Sequence, residues 1–348
     1  MPAAATPRRR RGVLPDTRAR SAGRREHSGG PPDEAGVRPE TLCLSSPVQL
    51  QRSPPLTGVG GRGQEKRWDV LLDAAAFVPT NRLDLGQYHP DFVSISFYKM
   101  FGYPTGVGAL LARRSALDRL KRPWYAGGTI TLSSVSAAGD EGAGFYLTPG
   151  AARFEDGTVN YLSISGVQVG LDWIESIGID TIHVRTELLT GWLLEQVQQL
   201  RHTNGQPVVS VYGPCDMLDR GGTVALNFLD PSGALWDSWR VESLANERRL
   251  SLRAGGHCNP GAREVALGYP RALLADCFKD KEQLTFEEFL RAIGDCKDGV
   301  VRASLGVAST FKDVFQFMMF ARSFVDRHAP LDQRAAFARA TATLVGAN

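Results

Sequence analysis

The chain has 348 residues, 43% of them hydrophobic and 22% charged, enough to bury one large core or two modest ones, so a globular enzyme is the expectation. Its net charge of +3 is uneven: residues 1–67 carry 13 Lys and Arg against 6 Asp and Glu, a net of +7, which leaves the remainder at about −4 and without a nucleic-acid surface. No apolar run has the length of a membrane span and no signal core opens the chain, so a soluble, cytoplasmic protein without a membrane partner is expected; its five cysteines, scattered and without CxxC spacing, argue against a metal site or a disulfide framework.

Residues 1–67 combine an arginine run, Arg8–Arg11, with many Pro, Gly and Ser and no sustained apolar period, the composition of a disordered basic tail. The run could also act as a targeting or anion-binding arm. GVGGRG, Gly58–Gly63, matches GxGxxG but precedes a strand instead of following one, so a dinucleotide loop fails its context. Three short β-rich runs follow: VLLDA from Val70, DFVSISF from Asp91 and GVGALLA from Gly106, separated by Pro79, Asn81, Pro90, Gly102 and Pro104. RRSALDRLKRPWY from Arg113 reads as a short basic helix, and Ala126–Gly139 as a Gly/Ser/Thr-rich loop.

From Tyr161 to about His202 apolar residues recur at helical spacing until Asn204-Gly205 breaks the run. Beyond it, Val208–Gly213, Thr223–Asp230, Ser251–Gly255 and Val300–Gly306 read as strands, and Trp236–Leu250 as an amphipathic helix. Thr285 with Glu288, and Thr310 with Asp313, cap two further helices, the last running to Phe324. The expected organisation is a partial α/β large domain over 68–162 and connecting helices with a smaller α/β domain over 163–326. Residues 327–348 would be a tail or one more helix.

Two strands end in residues of chemical use. Asp73 leaves the first and Lys99 lies just past the second, and ligands of open α/β sheets bind at the carboxyl ends of strands. A Schiff-base lysine and a carboxylate facing a pyridine nitrogen are the pair that pyridoxal phosphate enzymes need; a solvated surface lysine is the ordinary alternative. Cys258 sits in GGHCNPGA, whose glycines and proline favour an exposed thiol over a buried inert one. His257 either promotes the Cys258 thiolate or is a polar loop residue. Arg302 alternates out of a β-run, as a fork for a carboxylate or as one side of a surface ion pair. Asp156-Gly157-Thr158 is ordinary turn chemistry.

Asp73, then Ser96-x-x-Lys99, then Gly102, Pro104, Thr105 and Gly106 resemble the lysine segment of class V aminotransferase-fold enzymes, most closely the cysteine-desulfurase-like domain of molybdenum cofactor sulfurases. The resemblance continues through FEDGT (Phe154–Thr158), LRAGGHCNPGA (Leu252–Ala262) and VVRASLGVAST (Val300–Thr310), and so spans roughly Trp68 to Asp326. It implies an α/β protein of the fold type I pyridoxal-phosphate-dependent transferases, with an incomplete three-layer large domain and a smaller C-terminal α/β domain. Lys99 would carry pyridoxal 5'-phosphate, Asp73 face its ring nitrogen and Ser96 contact its phosphate. Thr158 would reach the phosphate of the partner subunit in a homodimer. Arg302 would hold the carboxylate of L-cysteine, and Cys258 take its sulfur as a persulfide, releasing alanine; the acceptor would be the molybdenum cofactor. Two departures, Ala76 where many desulfurases have Gln and Tyr98 where they have His, favour the sulfurase subgroup. Nothing in residues 1–67 looks like the family's early glycine-rich phosphate loop and stacking aromatic, so a missing N-terminal part and weakened cofactor binding are expected. Another class V enzyme, an aminotransferase or lyase, would need Lys99, Asp73 and Arg302 but not Cys258, and a truncated non-catalytic homologue would need none.

Overall fold

The computed structural model describes residues 41–44, 69–135, 144–218, 220–279, 283–285, 288–289, 292–293 and 299–330. Residues 39–348 form one unit, and among its described residues it carries two four-stranded sheets and a two-stranded one. The first has the order β1 (Thr41–Leu44), β2 (Asp69–Asp73), β3 (Phe92–Ser96), β4 (Gly108–Ala112), with β1, β2 and β3 parallel and β4 antiparallel. Strand β1 falls inside the segment expected to lack structure: its run Thr-Leu-Cys-Leu is apolar enough to pair with Asp69–Leu72 despite its polar surroundings. The rest of the basic tail lies outside the described residues.

Strands β2 and β3 bury Leu72 and Val93 against Ala74 and Phe77, which gives this sheet its own small core. At the opposite end of the strands, Asp91 accepts from the Val70 amide at 2.9 Å. Arg119, from the helix Arg114–Arg119 (α2), clasps Asp69 and lies 3.9 Å from Asp91. Strand β4 approaches so closely that a Cβ at Gly108 would stand 2.8 Å from the Ile95 carbonyl oxygen, so only glycine fits there.

Between β3 and β4 the chain forms one short helix, Phe97–Phe101 (α1). The sequence reading left that stretch as the end of a strand and a loop, because Phe and Tyr favour β-structure. The loop expected over Ala126–Gly139 contains instead a strand, Ile130–Ser133 (β5), which pairs antiparallel with Phe145–Leu147 (β6); residues 136–143 between them are outside the described set. Alternation of Ile130 and Leu132 with Thr and Ser was the available signal.

Two long helices, Tyr161–Ile177 (α3) and Ile179–Gln199 (α4), lead to the second sheet, turning at Gly178 with φ 89°. That sheet is antiparallel throughout, in the order β7 (Val209–Tyr212), β8 (Thr223–Phe228), β10 (Val300–Ser304), β9 (Arg253–Gly255). It holds the main core: Leu193, Leu194 and Val197 of α4, Val224, Leu226 and Phe228 of β8, and Phe317, Phe320 and Ala321 of the last described helix, Phe311–Arg322 (α8). Phe324 stacks on Phe228 at 4.3 Å between centroids and meets Trp236 edge-on at 4.9 Å. Helix Ser238–Glu247 (α5) adds Val241 and Ala245. Helices Pro260–Leu267 (α6) and Arg271–Phe278 (α7) follow β9. The capping box of Thr310 and Asp313 forms as the sequence predicts. No helix among the described residues is long and apolar enough to cross a membrane.

Candidate active site

Strands β2 and β3 run side by side and deliver their functional residues at the same end. Asp73 closes β2 and lies opposite Ser94 of β3; its Oδ1 accepts from the Ser94 hydroxyl and from the Ala75 amide, both at 3.1 Å. Two residues further along β3, on the face that Ser94 shares, stands Ser96. It occupies the N-cap position of α1 without spending its side chain on the cap. Lys99 rides on α1, solvent-exposed, with its ammonium 5.9 Å from the Tyr98 ring centroid and no carboxylate partner among the described residues. This helix is too short to stand alone. It is seated on α3, where Gly170 leaves room for the Phe101 ring and Gly166 for Tyr103.

The second sheet brings the other half. Arg302 of β10 stands opposite Arg253 of β9. Its Nε is buried and has no hydrogen-bond partner. Burial, and then the neighbouring Arg253 cation, hold the Arg302 guanidinium below its ordinary range, while the Cys258 thiol and the Tyr98 hydroxyl oppose that shift. Arg302 is therefore within electrostatic reach of both Cys258 and Tyr98, and Tyr98 is the residue before Lys99. This electrostatic coupling links α1 to the cysteine loop beside the second sheet.

Cys258 is exposed and not in a disulfide. It sits at the tip of a tight turn in which the Asn259 amide donates to the Gly256 carbonyl at 3.1 Å, with His257 at φ 53° and Cys258 at φ 60°. Positive φ at both central positions is the pattern of a type I′ turn, normally filled by Asn and Gly. The segment read as a Pro-broken loop ends in a helix: Asn259 accepts from the Ala262 amide at 3.1 Å as N-cap of α6, and Pro260 takes its first turn, where no amide is needed.

His257 does not act as a cation beside the thiol. Its Nε2 lies 2.8 Å from the Val300 carbonyl, and burial, followed by Arg302 and Arg253, lowers its pKa. The ring is neutral near pH 7, its Nε2–H donates to Val300, and its buried Nδ1 has no partner. Arg302 is a cation in electrostatic reach of Cys258.

Thr158 stands apart. It is exposed on the loop after the 3₁₀ turn Gly150–Phe154, where the Gly157 amide donates to the Gly127 carbonyl at 2.7 Å, and its hydroxyl bonds to none of Asp73, Ser96 or Lys99 within the chain. The sequence reading did not single out Ser94 or Arg253, and named Tyr98 only as a departure from the family pattern. Ser94 was legible as the same-face neighbour of Ser96; Arg253 became visible only through its register with Arg302.

The groups are of the kinds that pyridoxal phosphate calls for. Among the described residues, only one carboxylate oxygen of Asp73 accepts hydrogen bonds, Lys99 has no carboxylate partner, and the buried Arg302 Nε–H has no acceptor. For a phosphate group the described residues of this cluster provide the Ser96 hydroxyl.

A family model, "Aminotransferase class-V", matches residues 53–317. Molybdenum cofactor sulfurase 3 of Aedes aegypti is 34% identical over 288 residues, covering 77% of this chain and 36% of that protein. The molybdenum cofactor sulfurase of Bos taurus is 32% identical over 322 residues, covering 85% and 34%. The chain thus spans about a third of the length of these curated relatives. In fold it is similar to the apo cysteine desulfurase of Thermococcus onnurineus NA1, with TM-score 0.62 and 22% identity over 82% of this chain and 60% of that one. The strand-end Asp73, the lysine helix, the cysteine turn and the family match agree: the chain belongs to the class-V aminotransferases, with the α/β fold of the type I pyridoxal-phosphate-dependent enzymes.

Proposed function

We propose that the chain is a cysteine desulfurase-like sulfurtransferase that uses pyridoxal phosphate to move sulfur from L-cysteine onto Cys258. The observation that supports the proposal is that the Arg302 guanidinium interacts electrostatically with both the Cys258 thiol and the Tyr98 hydroxyl, Tyr98 being the neighbour of Lys99. A substrate carboxylate on the orphaned Arg302 Nε–H would hold an amino acid between the amine and the thiol. Pyridoxal phosphate, when bound, supplies an electron sink that makes the α-proton of an amino acid removable.

The residues of the chain would do the rest. Lys99 would anchor the cofactor and, as a free amine, move the α-proton. Asp73, oriented by Ser94 and the Ala75 amide, would accept the ring N–H and keep the nitrogen protonated. Ser96 would contact the phosphate, and Thr158 would do so from the partner subunit of a homodimer. The Cys258 thiolate would attack the substrate sulfur. A sulfur–sulfur bond forms, the Cβ–S bond of L-cysteine breaks with its electron pair left on carbon, and a proton there completes alanine. No outside oxidant is needed, because a sulfur atom is transferred whole. The Cys258 persulfide would then pass its sulfur to an acceptor, for which the similarity to molybdenum cofactor sulfurases suggests the molybdenum cofactor.

The test separates cofactor from sulfur chemistry. Added pyridoxal phosphate should give the wild type and Cys258→Ser a visible absorbance band, whereas Lys99→Ala and Lys99→Arg should lack it. Alanine from L-cysteine, and sulfide once a thiol reductant is supplied to discharge the Cys258 persulfide, should appear with the wild type alone. Alanine formed at an undiminished rate by Cys258→Ser would shift the reading to another class V reaction. A wild type that never develops the band would mark a non-catalytic homologue.

A further inference from the structure

The loop that carries Thr158 is braced from two other segments of the chain. Arg122, just past α2, reaches it with a side chain only 5% exposed. The guanidinium forms an ion pair with Asp156, its Nη1 donates to the Arg153 carbonyl at 2.9 Å, and its Nε donates to the Trp124 carbonyl at 3.0 Å. The Trp124 ring lies against the cation, its centroid 5.3 Å from the guanidinium carbon. One buried side chain thus ties both ends of 153–156. The second brace comes from the turn before β5. Thr129, fully buried, closes that turn: its hydroxyl accepts from the Ala126 amide at 2.9 Å and donates to the Ala126 carbonyl at 2.7 Å. The Gly127 carbonyl then accepts from the Gly157 amide at 2.7 Å. The two segments pass so closely that a Cβ at Gly128, where φ is 86°, would stand 3.3 Å from the Gly157 carbonyl oxygen.

An ordinary Asp-Gly-Thr surface turn holds its shape with its own residues and leaves the loop free to move. Here a guanidinium is taken out of water to fix one, against a desolvation cost that a plain connection has no need to meet. Such fixing helps where a residue must be in place before its ligand arrives, because a loop already ordered loses little conformational freedom on binding. The braces end at Gly157; the next residue, Thr158, is exposed and its hydroxyl bonds to no described residue. We infer that Arg122 is a positioning residue: through Asp156 and the Arg153 carbonyl it holds the loop in the shape in which Thr158 reaches the cofactor phosphate of the partner subunit. The inference rests on the proposed role of Thr158 and adds the group that sets its position. Arg122 acts through the loop and touches neither cofactor nor substrate.

The test compares two ligands that differ by the phosphate. Pyridoxal 5'-phosphate and pyridoxal are titrated into the chain, and the half-saturating concentration of each is read from the visible absorbance band. Arg122→Gln and Asp156→Ala should each cut the preference for the phosphorylated ligand by about tenfold, the equivalent of ordering one more residue on binding, and leave pyridoxal unchanged. In a Thr158→Val background, Arg122→Gln should lower that preference no further, since its effect runs through Thr158. Where Thr158→Val does lower the preference, the inference is overturned if Arg122→Gln keeps the wild-type value, or if it weakens both ligands equally, as a general loss of structure would. A Thr158→Val protein with the wild-type preference, or a wild type without the band, removes the role of Thr158 and the inference with it. Should Arg122→Gln fail to fold, Asp156→Ala, which alters an exposed carboxylate, decides.

Discussion

His257 and Cys258 both hold left-handed backbone, a conformation that disfavours a non-glycine L-residue by about 1–2 kcal/mol. The surroundings enforce it: the Gly256–Asn259 hydrogen bond closes the turn, Asn259 starts α6, and the His257 ring is pinned to Val300 across the strand end. The result is a thiol held out at a turn tip with a guanidinium in electrostatic reach. The same pinning fixes the histidine tautomer. Burial and two arginines disfavour its cation, so it should titrate below the ordinary histidine value. In the unfolded chain His257 takes a proton as pH falls through about 6.5, whereas in the fold it resists, so its contribution to stability is present above that pH and is lost below it. An NMR titration of the ring should show the depressed midpoint, and Arg253→Ala should move it upward. A midpoint at or above the free-imidazole value would restore the cationic role. Cys258 and Arg302 were legible from their motifs; the neutral state of His257 was not, because Val300 is 43 residues away in sequence.

At the scale of elements, the lysine helix depends on what it rests against. Gly166 and Gly170 are one turn apart on α3 and carry no side chain where Tyr103 and Phe101 lie; a Cβ at Gly170 would overlap the Phe101 ring. Gly170→Ala should therefore destabilise the protein by about 1–3 kcal/mol, as overpacking does, and tilt α1. Denaturant unfolding reads the first effect. A slower or smaller cofactor band reads the second, and an unchanged midpoint would show that Phe101 simply rotates away. Periodicity announced α3 and α4 and the strands of the second sheet, since their apolar spacing matches their burial. It could not announce α1, five residues of Phe, Tyr, Lys, Met and Phe whose helix is set by tertiary seating. Nor could it register that Asn-Pro-Gly after Cys258 opens a helix, because the same residues serve turns and N-caps.

Across the whole molecule, the second sheet is closed by the buried Asp230 after β8. Burial pushes its carboxyl upward, but the Ser232 hydroxyl and the amides of Ala234, Ala329 and Ser232 outweigh this and lower its pKa to about 2. Its folded pKa lies below the unfolded one, so the stabilisation is complete above about pH 4 and is lost as pH falls through about 2. Asp230→Asn should lower stability by about 2 kcal/mol at neutral pH and flatten the acid limb of the unfolding curve. Thr158 raises the remaining question of assembly. It is exposed and its hydroxyl bonds to no described residue, as a group that donates to the phosphate of a neighbouring subunit would be in a separated protomer. If the proposed homodimer pairs Thr158 of one subunit with Lys99 of the other, both Lys99→Ala and Thr158→Val homodimers are impaired at every site. Mixing and reassociating them creates hybrids with one intact site, made of Lys99 from one parent and Thr158 from the other. Random exchange in a two-fold dimer makes about half of the molecules hybrids, so about a quarter of the wild-type cofactor absorbance should return at limiting cofactor. No gain over the unmixed Thr158→Val protein would mean that Thr158 acts within its own subunit or not at all.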